Sequence, residues 1–174
     1  MLYVLVILGL ILVVLFIAAL QKPDTVHYER STVIDAPPER ILPHLVDFRK
    51  WAAWSPWDKM DPGMQRSYSG AVSGVGARYA WVGNKKVGEG NMQINEVSIQ
   101  GVKLDLNFLK PWKAECKVHL AFTPSGNGTQ VRWTMDGPNS FMGKLFSLFM
   151  NMDKLIGKDF ETGLAGLKAV VEKG

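Results

Sequence analysis

The chain has 174 residues, with 20 Lys and Arg against 16 Asp and Glu for a net charge of +4, and a single cysteine. Once an apolar N-terminal segment is set aside, this is material for one domain of about 150 residues, large enough for a real core. The mild charge, with cations scattered among acids and no run longer than Lys85-Lys86, argues against a nucleic-acid partner, and the lone Cys116 has no internal disulfide open to it.

Residues 2–20 carry no charge and only Tyr3 as a polar interruption. At helical rise such a stretch approaches the roughly 30 Å hydrocarbon thickness of a bilayer. A cleavable signal peptide fits less well, because no Lys or Arg precedes the segment and its end, Phe16-Ile17-Ala18-Ala19-Leu20-Gln21, is a poor small-residue cleavage site. The sequence therefore predicts a transmembrane anchor at 1–21, a linker at 22–26 containing Pro23, and a soluble domain at 27–174. Lys22 and Arg30 follow the segment, which places the domain in the cytoplasm by the positive-inside bias.

Residues 27–34 alternate as a first strand. Asp35-Ala36-Pro37-Pro38 then reads as a helix start, with Asp35 or Ala36 at the cap and proline in the first turn. Ile41, Leu42, Leu45 and Val46 give that short helix an apolar stripe ending near Asp47, with Pro43 near its first turns or kinking it. Trp51, Trp54 and Trp57 follow at spacing three. They either cap the open end of the core or wall the mouth of a cavity.

Strands are predicted at 65–69, 76–82, 87–98, 101–109 and 113–123, and across Val131, Trp133 and Met135 after a turn at 124–128. Their period-two alternation marks a sheet with one wet face; Cys116, Val118 and Leu120 share its dry one. Residues 140–173 read as one long helix or two abutting ones. A stripe of Leu145, Leu148, Phe149, Met152, Leu155, Ile156, Phe160, Leu164, Leu167 and Val170 faces the sheet, and Lys144, Asp153, Lys158, Asp159 and Glu161 fall mostly opposite. Gly157, Gly163 and Gly166 weaken a helix, a cost tolerated where a neighbour approaches closely. Residues 140–152 are apolar almost all round, Lys144 being their only charge; they are either a packed helix start or a Met-rich gate facing the cavity or a membrane.

Catalytic patterns are sparse. His27, His44 and His119 are far apart in sequence and no HExxH or CxxC spacing exists, so no metal or other cofactor is expected. Gly74-Val75-Gly76 and Gly88-Glu89-Gly90 run into strand sequence rather than a helix, which makes them turns or bulges and not phosphate loops. Glu89 and Glu96 are the carboxylates whose burial would supply an acid or base; both read as surface or rim residues.

Strand, short helix, strand meander and long C-terminal helix form the helix-grip layout, an α+β fold in which a curved antiparallel sheet of about seven strands holds the helix. The residues 29–37 (ERSTVIDAP), the aromatic segment 48–57 ending Trp54-Ser55-Pro56-Trp57, the Ser73-Gly74-Val75-Gly76-Ala77 turn and parts of 152–168 resemble the START-like, Bet v 1-like (SRPBCC) superfamily, and within it bacterial polyketide cyclase/dehydrase-type proteins. The resemblance covers nearly all of 27–172 and implies a cavity between sheet and helix for an apolar small molecule or lipid. It carries over no catalytic residue, because enzymatic members of the family vary in theirs.

The expected wall is Trp54 and Trp57 from the aromatic segment, Trp81, Met92, Leu104, Leu106, Val118, Leu120, Trp133 and Met135 from the sheet, and Phe149, Met152 and Ile156 from the helix. The expected role is binding, in transport or sensing, with membrane contact through residues 2–20 in a bacterial inner membrane. Two alternatives are a cyclase- or dehydratase-like enzyme on an aromatic or ketide substrate, marked by an inward Glu89 or Glu96, and a co-chaperone-like interaction module, marked by an exposed apolar patch.

Overall fold

The structure is a computed structural model that describes residues 1–173. In chain order its elements are α1 (Leu2–Leu20), β1 (Thr25–Ile34), α2 (Pro38–Leu45), a 3-10 turn over Phe48–Ala53 and α3 (Pro56–Met60). Six strands follow: β2 (Gln65–Gly70), β3 (Ala77–Val82), β4 (Glu89–Ser98), β5 (Gly101–Lys110), β6 (Ala114–Ser125) and β7 (Gly128–Pro138). The helices α4 (Phe141–Phe146) and α5 (Met152–Lys173) complete the chain.

The alternation becomes one seven-stranded sheet in the order β1-β7-β6-β5-β4-β3-β2, every neighbouring pair antiparallel. Cys116, Val118, Leu120 and Phe122 of β6 point inward and are buried, and in register Val118 lies between Leu104 of β5 and Met135 of β7. Register shifts between Glu89 and Gly90 and between Ile94 and Glu96 bend β4, as bulges do, and the curved sheet wraps α5. On that helix Phe160, Leu164, Leu167 and Val171 are buried. All of this matches the helix-grip expectation.

The antiparallel register gives the sheet two distinct ends. Thr25, just after the linker from α1, pairs with Pro138; along the same end lie Ala114 with Phe108, Lys110 with Glu89, and Val82 with Gln65. The opposite end carries Gly70 with Ala77, Ser98 with Gly101, and Ile34 with Thr129.

Arg30 fastens β1 to α5. Its guanidinium reaches both carboxylate oxygens of Asp153, at 2.9 and 3.1 Å, and Oε1 of Glu161 at 2.9 Å. Asp153 and Glu161 are two helical turns apart, and Gly157 lies between them, where any Cβ would collide with that guanidinium. The other two helix glycines admit Trp133 and Pro56 (Gly163) and the backbone of Trp54 (Gly166), so the close approach read from the sequence is to side chains at two of the three positions.

Local structure departs from expectation in four places. The 140–173 segment is two separated helices, because each has its own N-terminal cap: Ser140 Oγ accepts from the Gly143 amide at 3.2 Å, and Asn151 Oδ1 from the Lys154 amide at 2.9 Å. Phe149, in the intervening residues 147–151, is thrown outward, and Leu155, about 140° of helix away from the buried Phe160, faces away from the sheet. Lys144, expected on the wet side, is only 7% exposed and pairs with the Asp24 carboxylate. Finally, β1 begins at Thr25 inside the expected linker; there the Asn139 side chain donates to the Pro23 carbonyl at 2.9 Å and the Asn139 amide to that of Asp24 at 2.7 Å.

Candidate functional site

The concave face of the sheet and α5 do not close on each other completely. A half-open, mainly apolar cavity of about 240 Å³ remains between them. Trp81 and Tyr79 of β3, Met92 of β4 and Leu106 and Phe108 of β5 form one side of it. Leu104, Val118, Trp133 and Met135 form its floor, and Ile156, Asp159 and Phe160 of α5 stand opposite. Trp51, Ser55, Trp57 and Asp58 come in from the aromatic segment, with Met64, Lys86 and Val87 beside them.

Aromatic rings set the shape. Phe160 stacks on Trp133 with centroids 4.6 Å apart, and Trp57 meets the same indole edge-on at 5.8 Å. Gly90 has no side chain because the Trp81 ring lies where its Cβ would be, which lets Trp81 approach Phe108 at 6.3 Å across the strand. In the aromatic segment Trp51 and Trp57 border the cavity, while Trp54 is buried in the core.

Of the residues expected in the wall, Trp57, Trp81, Met92, Leu104, Leu106, Val118, Trp133, Met135 and Ile156 are brought together there. Four are not. Trp54 is packed behind the wall, its ring 4.7 Å from that of Trp51 and its indole nitrogen donating to the His44 carbonyl at 3.2 Å. Leu120 is fully buried on the same face as Val118 but outside the cavity, Met152 packs against the core short of the wall, and Phe149 is 68% exposed.

The polar groups were mostly not foreseen. Glu89 and Glu96 lie outside the cavity, held by Lys110 at 2.7 Å and Lys103 at 2.9 Å. The cavity carboxylates are Asp58 and Asp159. Asp58 accepts from Arg66 Nε at 2.7 Å. Asp159 has no comparable partner among the described residues; burial pushes its carboxyl above the ordinary range, and the neighbouring Lys158 only partly opposes this. Burial likewise raises the Tyr79 hydroxyl strongly. The Trp133 indole nitrogen is buried without a hydrogen-bond partner among the described residues. One signal could have found Asp159: it lies three residues after Ile156 and next to Phe160, on the edge of the inward stripe.

A carboxyl whose native pKa is raised binds its proton more tightly folded than unfolded, so its penalty is absent at low pH and grows as pH rises from the unfolded value, about 3.9. Asp159→Asn is therefore expected to raise the melting temperature at pH 7, with the gain vanishing below about pH 4. Parallel thermal melts of both proteins across pH check this; a gain that persists undiminished at pH 3 would place its cause elsewhere.

Among curated proteins none matches the sequence. Solved structures share the fold. Protein CV1439 from Chromobacterium violaceum is 17% identical, with 87% of this chain and 99% of that one covered at a TM-score of 0.59. Ara h 8.0201 is 9% identical, with 86% and 99% covered and a TM-score of 0.55. The di-domain ARO/CYC StfQ of the steffimycin biosynthetic pathway is 11% identical, with 86% of this chain and 51% of that one covered at a TM-score of 0.60. At these identities the likeness is one of architecture, the Bet v 1-like helix grip. Residues 25–172 match the family described as polyketide cyclase / dehydrase and lipid transport, and the chain belongs to that family.

Proposed function

We propose that the protein is a membrane-anchored binder of a hydrophobic small molecule or lipid, used in transport or sensing. The carrying observation is the half-open, apolar cavity between the sheet and α5. Its size of about 240 Å³ is just below the roughly 300–1,000 Å³ of drug-sized sites, which suits a compact ring system or part of one acyl chain better than a whole phospholipid. Burial of apolar surface, about 25 cal/mol per Å², drives binding, and the few polar groups of the wall choose the orientation. Family membership agrees with a hydrophobic ligand in general terms.

The same proposal takes α1 as an uncleaved single-pass anchor in a bacterial inner membrane with the domain on the cytoplasmic side. Its 19 residues rise about 28 Å, close to the hydrocarbon thickness, and they are almost wholly exposed. Mass spectrometry of small molecules co-purifying with the detergent-extracted full chain is expected to show a stoichiometric apolar compound. Its absence, together with no binding of a fluorescent apolar dye, overturns the binding reading. A reporter fused after Gly174 that is active only outside the cytoplasm reverses the orientation.

A cyclase- or dehydratase-like reaction is the second reading, and Asp159 is the observation in its favour: a raised carboxyl in an apolar cavity, with no ion-pair partner among the described residues, is suited to holding a proton for transfer. Turnover of an aromatic or ketide compound that Asp159→Asn abolishes while leaving its binding intact would establish it.

A further inference from the structure

Several large apolar side chains left exposed by the fold gather at the α1 end of the sheet. Phe141, Met142 and Phe146 of α4, Phe149 and Met150 of the 147–151 connection and Leu155 of α5 are all exposed. Trp112, in the turn between β5 and β6, is 52% exposed, and its ring lies 5.5 Å from that of Phe146, so the turn and α4 form one surface. The only charge in 141–150 is withdrawn from it, since Lys144 is turned inward onto Asp24.

The depth of this surface can be read from α1. The Phe16 and Phe141 rings are 5.3 Å apart, and Ala19 is fully buried. Phe16 precedes the end of α1 by four residues, about 6 Å of helix. A 19-residue helix has no length to spare in crossing roughly 30 Å of hydrocarbon, so when α1 spans the bilayer Phe16 lies within the acyl region, and Phe141 lies at its level. The bonds from Asn139 to Pro23 and Asp24 fix α4 to the linker, so the two do not swing apart freely.

We propose that α4, the 147–151 connection, the first turn of α5 and the Trp112 turn form an interfacial foot that inserts into the leaflet where α1 ends. The inference rests on α1 being a membrane anchor. A tryptophan at the rim and Lys113 and Lys154 beside the foot suit the headgroup boundary and anionic lipid. The foot also tells where the ligand comes from. Phe108 and Ile156 line the cavity, and the strand and helix that carry them run directly into the Trp112 turn and the first turn of α5; Lys86 and Val87, from the β3–β4 connection at the same end, line it too. The cavity therefore lies toward the bilayer, and its ligand class is an apolar molecule dissolved in the leaflet.

The test uses the full chain in vesicles of phosphatidylethanolamine and phosphatidylglycerol. Single cysteines at Phe16→Cys, Phe149→Cys and Ile99→Cys carry an environment-sensitive fluorophore; Cys116 stays unlabelled, being buried with its thiol pushed up by that burial. Ile99 is exposed at the opposite end of the sheet. The expected result is blue-shifted emission and at least twofold quenching by lipids with a doxyl group high on the acyl chain at positions 16 and 149, with neither at 99. Quenching at 16 together with water-like emission at 149 overturns the foot and leaves the anchor standing. Absence of quenching at 16 itself overturns the anchor and the foot with it, whereas ligand binding in the cavity is read separately by dye titration. In a second variant, Phe146→Asp/Met150→Asp, the label at 149 is expected to return to a water-like emission while that at 16 is unchanged; insertion at 149 unaffected by the two charges also overturns the proposal.

Discussion

Phe160→Ala is expected to remove about 3–5 kcal/mol from the stability of the domain, the range for deleting a buried phenyl ring. Phe160 is 2% exposed and stacks on Trp133, so its loss removes both transfer energy and an aromatic pair worth about 0.5–1.5 kcal/mol. Against a typical net stability of about 5–15 kcal/mol this is a third or more of the total. Urea unfolding of the detergent-solubilised full chain, followed by near-ultraviolet signals of the tryptophans, measures it. Leu155→Ala on the same helix is the comparison: at 52% exposure it should move stability by no more than about 0.5 kcal/mol. Equal costs for the two would mean that the first turns of α5 are packed against something other than solvent or lipid.

That pair of residues also shows how far the sequence could be read. Steps of three and four place Phe160 and Leu155 on one apolar stripe, yet they are five residues apart, about 140° around a 3.6-residue helix. Once α5 turns Phe160, Leu164 and Leu167 to the sheet, Leu155 faces away, and a stripe built from single steps of three and four does not show how wide it has become. The sheet was far more legible, because period-two alternation over whole strands tolerates errors at the ends; the expected strands agree with the observed ones to within one or two residues wherever both bounds were given.

Void and packing were not separable in the same way. Val118 and Leu120 are consecutive inward residues of β6, equally apolar, yet one borders the cavity and the other is sealed. A cavity is a shortfall in what faces a residue, set by α5 and the aromatic segment far away in sequence. Charged positions were misread for a related reason. Residue type puts Lys144 and Asp159 on the wet side, yet each lies against the domain because of a partner or neighbour supplied by another element: Asp24 for the first, the cavity wall for the second. The carboxylates that were singled out, Glu89 and Glu96, are tied up by lysines of the neighbouring strand β5. Cross-strand pairing of that kind follows from register, which the sequence did not specify in advance.

Filling the cavity should abolish ligand binding without unfolding the protein. Val118→Phe places a ring from β6 into the space bounded by Leu104 and Met135, which pair with it in register and also line the cavity. In a packed core such an enlargement costs about 1–3 kcal/mol, but here the added atoms enter existing space, so stability should stay within about 1 kcal/mol of the parent while affinity for an apolar dye such as aminoanthracene falls at least 100-fold. Val131→Phe gives the opposite pattern. Val131 is fully buried on β7 and does not border the cavity, so enlarging it should cost the full 1–3 kcal/mol and leave dye affinity within about threefold of the parent. Fluorescence titration and urea melts of both variants decide the matter. If Val118→Phe binds the dye as well as the parent does, the dye sits elsewhere, and the exposed foot beside α1 becomes the place to look for it. Strain without loss of affinity in Val118→Phe would mean that the space closes in solution, because a void that collapses when nothing fills it responds to an added ring as a packed core does.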